Sequence, residues 1–239
     1  MAIRPGALAN GFSGAQLATA SSLLIAAGLA WAWTVAMAAM PGCHMVGLGS
    51  FLVMWTVMMA AMMFPAVIPV VLAYKGLTRL RAGRPLVAAA GFVAGYLVVW
   101  GALGVPARAL LAAADHVVGS APWTARAAGA VLVVCGLFQL TPLKDACLRH
   151  CRAPHLFLGH HWRDGALGAL VVGAHHGLYC AGCCASLMIV LLVVGVMNVA
   201  WMVGLSALIY LEKVLPGGIV LGRLAGVALC VVGIGRFLT

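Results

Sequence analysis

The sequence predicts an all-α fold: a polytopic bundle of transmembrane helices with about seven spans, or six, and its N-terminus inside. Three observations point there. The 239 residues are 65% hydrophobic and only 8% charged, whereas water-soluble domains are about one-quarter charged. Mean hydropathy is +1.13. Apolar runs follow one another across mostly short polar gaps, and each is close to the roughly 20 residues a helix needs to cross a bilayer. No room is left for a separate soluble domain, so residues 1–239 read as one transmembrane domain with the lipid bilayer as its first partner.

The elements follow in order. A first run, Gln16 to Met40, ends near an Ala36-Met37-Ala38 triplet that resembles a signal-peptidase site. The run is longer than a signal-peptide core, so an uncleaved span is expected. After Pro41-Gly42-Cys43-His44-Met45 comes a second span, Ser50 to Tyr74, then Lys75, Arg79, Arg81 and Arg84, closed by Pro85. The third span covers Leu86 to Leu111. A turn rich in Gly, Ser and Pro leads to the fourth, Thr124 to Leu140. Residues 141–165 form the one long polar connection. A fifth span, Ala166 to Gly195, is interrupted by Gly173, Gly177 and Gly182. Asn198 turns the chain into a sixth, Val199 to Leu215, whose Glu212-Lys213 pair marks the membrane edge, with a gating role as the alternative. The seventh is Ile219 to Leu238.

Charge orients these spans. The formal net charge of +10 could be taken for nucleic-acid affinity, but most Lys and Arg sit in the gaps between apolar runs, where they encode topology. Arg4, Lys75, Arg79, Arg81, Arg84, Lys144, Arg149, Arg152, Arg163 and Lys213 fall on one side, against Arg108, Arg126 and Arg236 on the other. The rich side is cytoplasmic. No nucleic-acid partner is expected. The eight cysteines are no secreted disulfide framework either, since most lie in apolar segments or in the basic connection.

Two spans carry soft metal ligands. The second holds Met54, Met58, Met59, Met62 and Met63 within ten residues, in two i, i+4 rows on roughly one side of a helix. Thioether sulfur suits Cu(I) and is uncharged, so it can sit in an apolar interior. Pro65 and Pro69 would kink the helix and free backbone carbonyls. The plainer role for these methionines is gap-filling between helices. In the fifth span His176, Cys180, Cys183 and Cys184 stand at i, i+4, i+7 and i+8, one helical face, with His175 beside them. Ionisable side chains inside a span are costly and mark function by default. Cys135 and Cys230 read as packing residues. At ~1.5 Å of rise per residue, Met58 and Cys180 reach a similar depth in the outer half of a ~30 Å core, which allows one shared site.

The connections add weaker candidates. Cys147 and Cys151 stand at i, i+4 among His150, His155, His160 and His161. They could make a second site or an entry relay, although the neighbouring arginines oppose cations and a basic surface against lipid headgroups explains them as well. Cys43 and His44, followed by Met45, would form an outer mouth.

The strings Trp55 to Pro65, Gln139-Leu140-Thr141-Pro142-Leu143-Lys144 with Cys147 and Cys151, His176-Gly177 with Tyr179-Cys180 and Gly182-Cys183-Cys184, and Met197-Asn198 with Glu212-Lys213 resemble a bacterial family of integral membrane proteins described as predicted metal-binding. The likeness runs from about residue 50 to 218. It implies a multi-pass protein of the bacterial inner membrane with a metal site, and it carries over Met58, Met59, Met62, Met63, His176, Cys180, Cys183 and Cys184 as ligands. It implies no reaction. This chain departs where Ala185 and Ser186 follow the paired cysteines, a place where relatives often carry an aromatic.

These observations favour a copper(I)-handling membrane protein, a transporter or a factor delivering the ion to a periplasmic metal chaperone or a membrane metalloenzyme. Another transition metal or haem is the alternative cargo or cofactor. The competing classes are a membrane thiol–disulfide oxidoreductase using Cys180 and Cys183, and a haem or metalloenzyme assembly factor with His175 or His176 as axial ligand. Hydrolytic catalysis has little to stand on. The chain has four acidic residues, and none shares a span with the cluster.

Overall fold

The computed structural model describes residues 14–40, 47–81, 83–117 and 123–238. Among these the chain is entirely helical, with α1 Gly14–Ala38, α2 Leu48–Leu80, α3 Pro85–Val117, α4 Thr124–Gln139, α5 Pro142–Arg152, α6 Pro154–His161, α7 Gly165–Val194, α8 Val199–Val214 and α9 Gly218–Leu238.

Five of these described helices, α1, α2, α3, α7 and α9, are long and apolar enough to cross a membrane, and a bent pair of α4 and α5, at 60°, would make six. The seven-span expectation counted α4 and α8 as full spans. Each has 16 residues, about 24 Å of helix, short of the ~30 Å hydrocarbon core.

Helix α2 continues past Tyr74 to Leu80, so Lys75 is part of the helix rather than of a loop. Its ammonium reaches back to the Ala15 carbonyl at 2.8 Å and to the Thr19 hydroxyl, tying α2 to the start of α1.

The polar connection at 141–165 folds into α5 and α6. Thr141 caps α5, its hydroxyl accepting from the Lys144 N–H, and Pro142 occupies the first turn, where its missing N–H costs nothing. Pro154 starts α6 in the same way. Lys144, Leu148 and Cys151 are the buried residues of α5; their i, i+4, i+7 spacing is one helical face. Of the charges that read as a loop, Lys144 lies on this face, Arg152 beside it is half-buried, and Arg149 is exposed.

The main packing pairs are α4 with α9, α3 with α7, and α2 with both α1 and α3, while α5 and α8 close on α7. A continuous buried cluster joins residues of α1, α2, α3, α5, α6, α7 and α8.

Candidate metal centre

The site is built on the α3–α7 seam. Gly95 and Gly173 have no side chain to hold the two helices apart. A Cβ on Gly95 would collide with the Leu170 carbonyl, and one on Gly173 with the Phe92 carbonyl. Small residues of this kind let helix backbones approach closely. Gly173, Gly177 and Gly182, expected as interruptions, leave α7 unbroken over Gly165–Val194 and serve as contact points, the first two on α3 and the third on α5. The consequence is local: His176 and Cys180 meet Phe92 and Tyr96 of α3, and His176, Cys180, Cys183 and Cys184 are all buried.

A second close approach brings in α5. Gly182 lies opposite Cys147, whose sulfur would stand 2.8 Å from a Cβ at that position. With α5 drawn in over Gly182, Cys151, one turn further along, enters the interior beside the α7 cysteines. Its Sγ is 3.9 Å from Cys183 Sγ, and Cys183 Sγ is 3.5 Å from Cys184 Sγ. Sulfurs sharing one ion at ~2.3 Å stand roughly 3.8–4.0 Å apart, so the Cys151–Cys183 spacing suits shared ligation and the Cys183–Cys184 spacing is a little shorter. All four are free thiols.

Cys180 meets the other three thiols and two further partners. Lys213 Nζ of α8 donates to Cys180 Sγ at 2.9 Å, and the Tyr96 hydroxyl of α3 lies 3.0 Å from the same sulfur. An ammonium at that distance makes a charge-assisted contact with a thiolate. The residue before it, Glu212, receives both of its hydrogen bonds from Lys144 Nζ, at 2.9 and 2.8 Å. Glu212 and Lys213 are thus 2% and 8% exposed. They are interior charges joined to α5 and to the thiols. Arg152 completes the link between α5 and α8, bonding the Glu212 carbonyl and, at 3.2 Å, the Pro216 carbonyl.

His176 sits in an aromatic box. Its ring centre is 5.6 Å from Phe92, 6.0 Å from Tyr96 and 5.0 Å from Phe157, and its Nδ1 is buried with no hydrogen-bond partner. A buried imidazole nitrogen left unpaired is costly and is a ready ligand atom. Among the described residues, however, no three or more His, Cys, Asp or Glu side chains already surround a single ion position. Cys180 contacts Lys213 and Tyr96 as well as the other three thiols, so the ammonium stands at the edge of the cluster.

The methionine row lies in the same core, with Met58, Met59, Met62 and Met63 fully buried. The principal neighbours of α2 are α1, α3 and α8, while α7 packs chiefly on α3. The ring-bearing face of α3, with Phe92, Tyr96 and Trp100, is buried with both. Beyond the row, Pro65 lacks the N–H that would bond Ala61, and the adjacent Met62 carbonyl accepts from the Ser206 hydroxyl of α8 at 3.2 Å.

The other candidates are dispersed. His175 turns away from the thiols, its ring 5.3 Å from His161. Cys147 is half-buried over Gly182. Cys43 and His44 lie outside the described residues. Cys135 and Cys230 sit at the α4–α9 contact: a Cβ on Gly136 would meet Cys230 Sγ at 2.5 Å. Sequence reasoning missed Lys213, Tyr96, Lys144 and Phe157. For Lys144 the signal was present in its 144/148/151 spacing with Leu148 and Cys151; for Tyr96, one aromatic in an apolar run, there was none.

A family model described as PpoB2, copper chaperone, matches residues 52–235. That stretch contains the methionine row, α5, all four clustered cysteines and Lys213. No curated protein and no solved structure matches the chain.

Proposed function

This chain belongs to the PpoB2 copper chaperone family, and we propose that it is a membrane-embedded Cu(I) chaperone whose tight station is the thiol cluster of Cys151, Cys180, Cys183 and Cys184. His176 supplies an imidazole ligand, and Met58, Met59, Met62 and Met63 act as weak exchange ligands along the path. The chain sits as a single unit in the bacterial inner membrane with its N-terminus on the cytoplasmic side. It passes its ion to a periplasmic metal chaperone or a membrane metalloenzyme.

The observation that carries this reading is the convergence of a cysteine from α5 on three from α7 inside a dry core, with sulfurs 3.5 and 3.9 Å apart. Soft thiolate and thioether donors select Cu(I) over harder ions. Thiolate charge in an apolar interior needs compensation. Lys213 provides it at Cys180; a bound ion would add its own positive charge, and thiol protons would leave as it binds.

The test is copper content and affinity. Full-length protein in detergent, equilibrated anaerobically with chelator-buffered Cu(I), takes up copper, and Cys180→Ser/Cys183→Ser protein loses the tight ion. Folded wild-type protein that gains no copper from buffered Cu(I) contradicts the proposal.

A further inference from the structure

Helices α5, α6 and α7 assemble a second set of metal-capable side chains that the thiol cluster does not use. The ring centre of His161 is 6.5 Å from that of His150 and 5.3 Å from that of His175. Two imidazoles on one ion, each with nitrogen at ~2.0–2.1 Å, stand roughly 5 to 6.5 Å apart centre to centre, between tetrahedral and linear ligation. Both spacings fall in that range.

Hydrogen bonds set the tautomers of two of the rings. His150 Nδ1 lies 2.9 Å from the Ala146 carbonyl and His161 Nδ1 lies 3.1 Å from the Phe157 carbonyl. A carbonyl only accepts, so each Nδ1 carries the proton and each neutral ring keeps its lone pair on Nε2. Ligating histidines are commonly oriented by this second hydrogen bond. Tyr179 stacks flat on His150 at 4.1 Å and Phe157 on His161 at 4.9 Å, which fixes both rings. His175 Nδ1 is buried without a partner. The nearby guanidiniums are engaged elsewhere: Arg149 on the Asp145 carbonyl, Arg152 on those of Glu212 and Pro216.

We propose that His161, with His150 on one side and His175 on the other, forms a two-imidazole copper site separate from the thiols and leading to them. The rings form a chain with His161 in the middle, so the ion is held by two imidazoles at a time, a low coordination number that Cu(I) accepts. Both end residues are near cluster cysteines along their own helices. His150 precedes Cys151 directly, and His175 stands a turn and a half before Cys180. The buried Phe157 ring touches both His161 and His176, at 4.9 and 5.0 Å, and so stands between the half-buried histidines and the interior imidazole. The site itself rests on the three rings; that its ion is copper rests on the function proposed above.

Anaerobic Cu(I) titration of full-length protein in detergent, against a chelating competitor, tests this. Wild type is expected to bind a tight sulfur-held ion and a weaker imidazole-held one. His161→Gln removes the weaker ion and keeps the tight one. Cys180→Ser/Cys183→Ser does the reverse, and X-ray absorption of that loaded variant shows imidazole scattering. His150→Gln, which weakens the same ion, carries the test should His161→Gln not fold. Weak-site binding unchanged by a folded His161→Gln or His150→Gln protein, or a wild type that holds copper through sulfur alone, overturns the proposal. A wild type showing the imidazole-held ion alone supports it while contradicting the thiol station.

Discussion

Lys213 Nζ lies 2.9 Å from Cys180 Sγ, an ammonium and a thiol brought together from α8 and α7 inside the core. The contact explains why a lysine is tolerated there. It also places a cation at one sulfur of the proposed copper site.

Lys213→Met keeps the length and removes the charge. Because the thiolate is the reactive form of cysteine, labelling of Cys180 by a small alkylating reagent is expected to slow by about tenfold or more, with Cys147 labelling unchanged. Mass spectrometry of the labelled peptides reads both rates. Equal Cys180 rates in the two proteins would remove the charge-partner role of Lys213.

The Lys144–Glu212 pair is the second interior charge contact, at 2.8 Å with both side chains buried. Removing one partner of a buried pair strands the other, at a cost of about 3–5 kcal/mol. Glu212→Ala and Lys144→Ala are each expected to lower the thermal unfolding temperature in detergent, and the double variant to lose less than the sum of the two. Additive losses would mean that the pair is not coupled.

Gly173→Leu places a side chain into the Phe92 carbonyl and is expected to abolish folded yield, read as the monodisperse peak in size-exclusion chromatography. Gly204→Ala, on α8 with open space around it, is expected to be neutral or slightly stabilising, since alanine is the better helix former.

Much of this architecture is legible in the sequence because each span is set by an apolar run bounded by Gly, Pro or charge. The ends of α4, α7, α8 and α9 fall within a residue of where those signals place them. The 141–165 segment shows why the rest was not. Lys144, Arg149 and Arg152 read as loop charges when counted, yet Thr141-Pro142 is a helix start and Lys144, Leu148 and Cys151 share one face. Counting charge hides which side of a helix carries it. The burial of Glu212-Lys213 is hidden for a related reason. Buried charges are costly unless partners arrive from other helices, and those partners, Lys144 and Cys180, are 68 and 33 residues away in sequence.

Cys151 and Cys147 separate the thiol station from its surroundings. Cys151 lies 3.9 Å from Cys183, whereas Cys147 packs over Gly182. Cys151→Ser is expected to weaken tight Cu(I) binding by at least about tenfold, and Cys147→Ser to leave it within about threefold, in the same competition titration.

The most direct test of the central claim is the copper K-edge X-ray absorption spectrum of full-length protein loaded anaerobically with one equivalent of Cu(I). The account predicts Cu(I) in a sulfur-dominated shell near ~2.3 Å, lost in Cys180→Ser/Cys183→Ser protein. A first shell of nitrogen or oxygen alone, in folded wild-type protein, would contradict it.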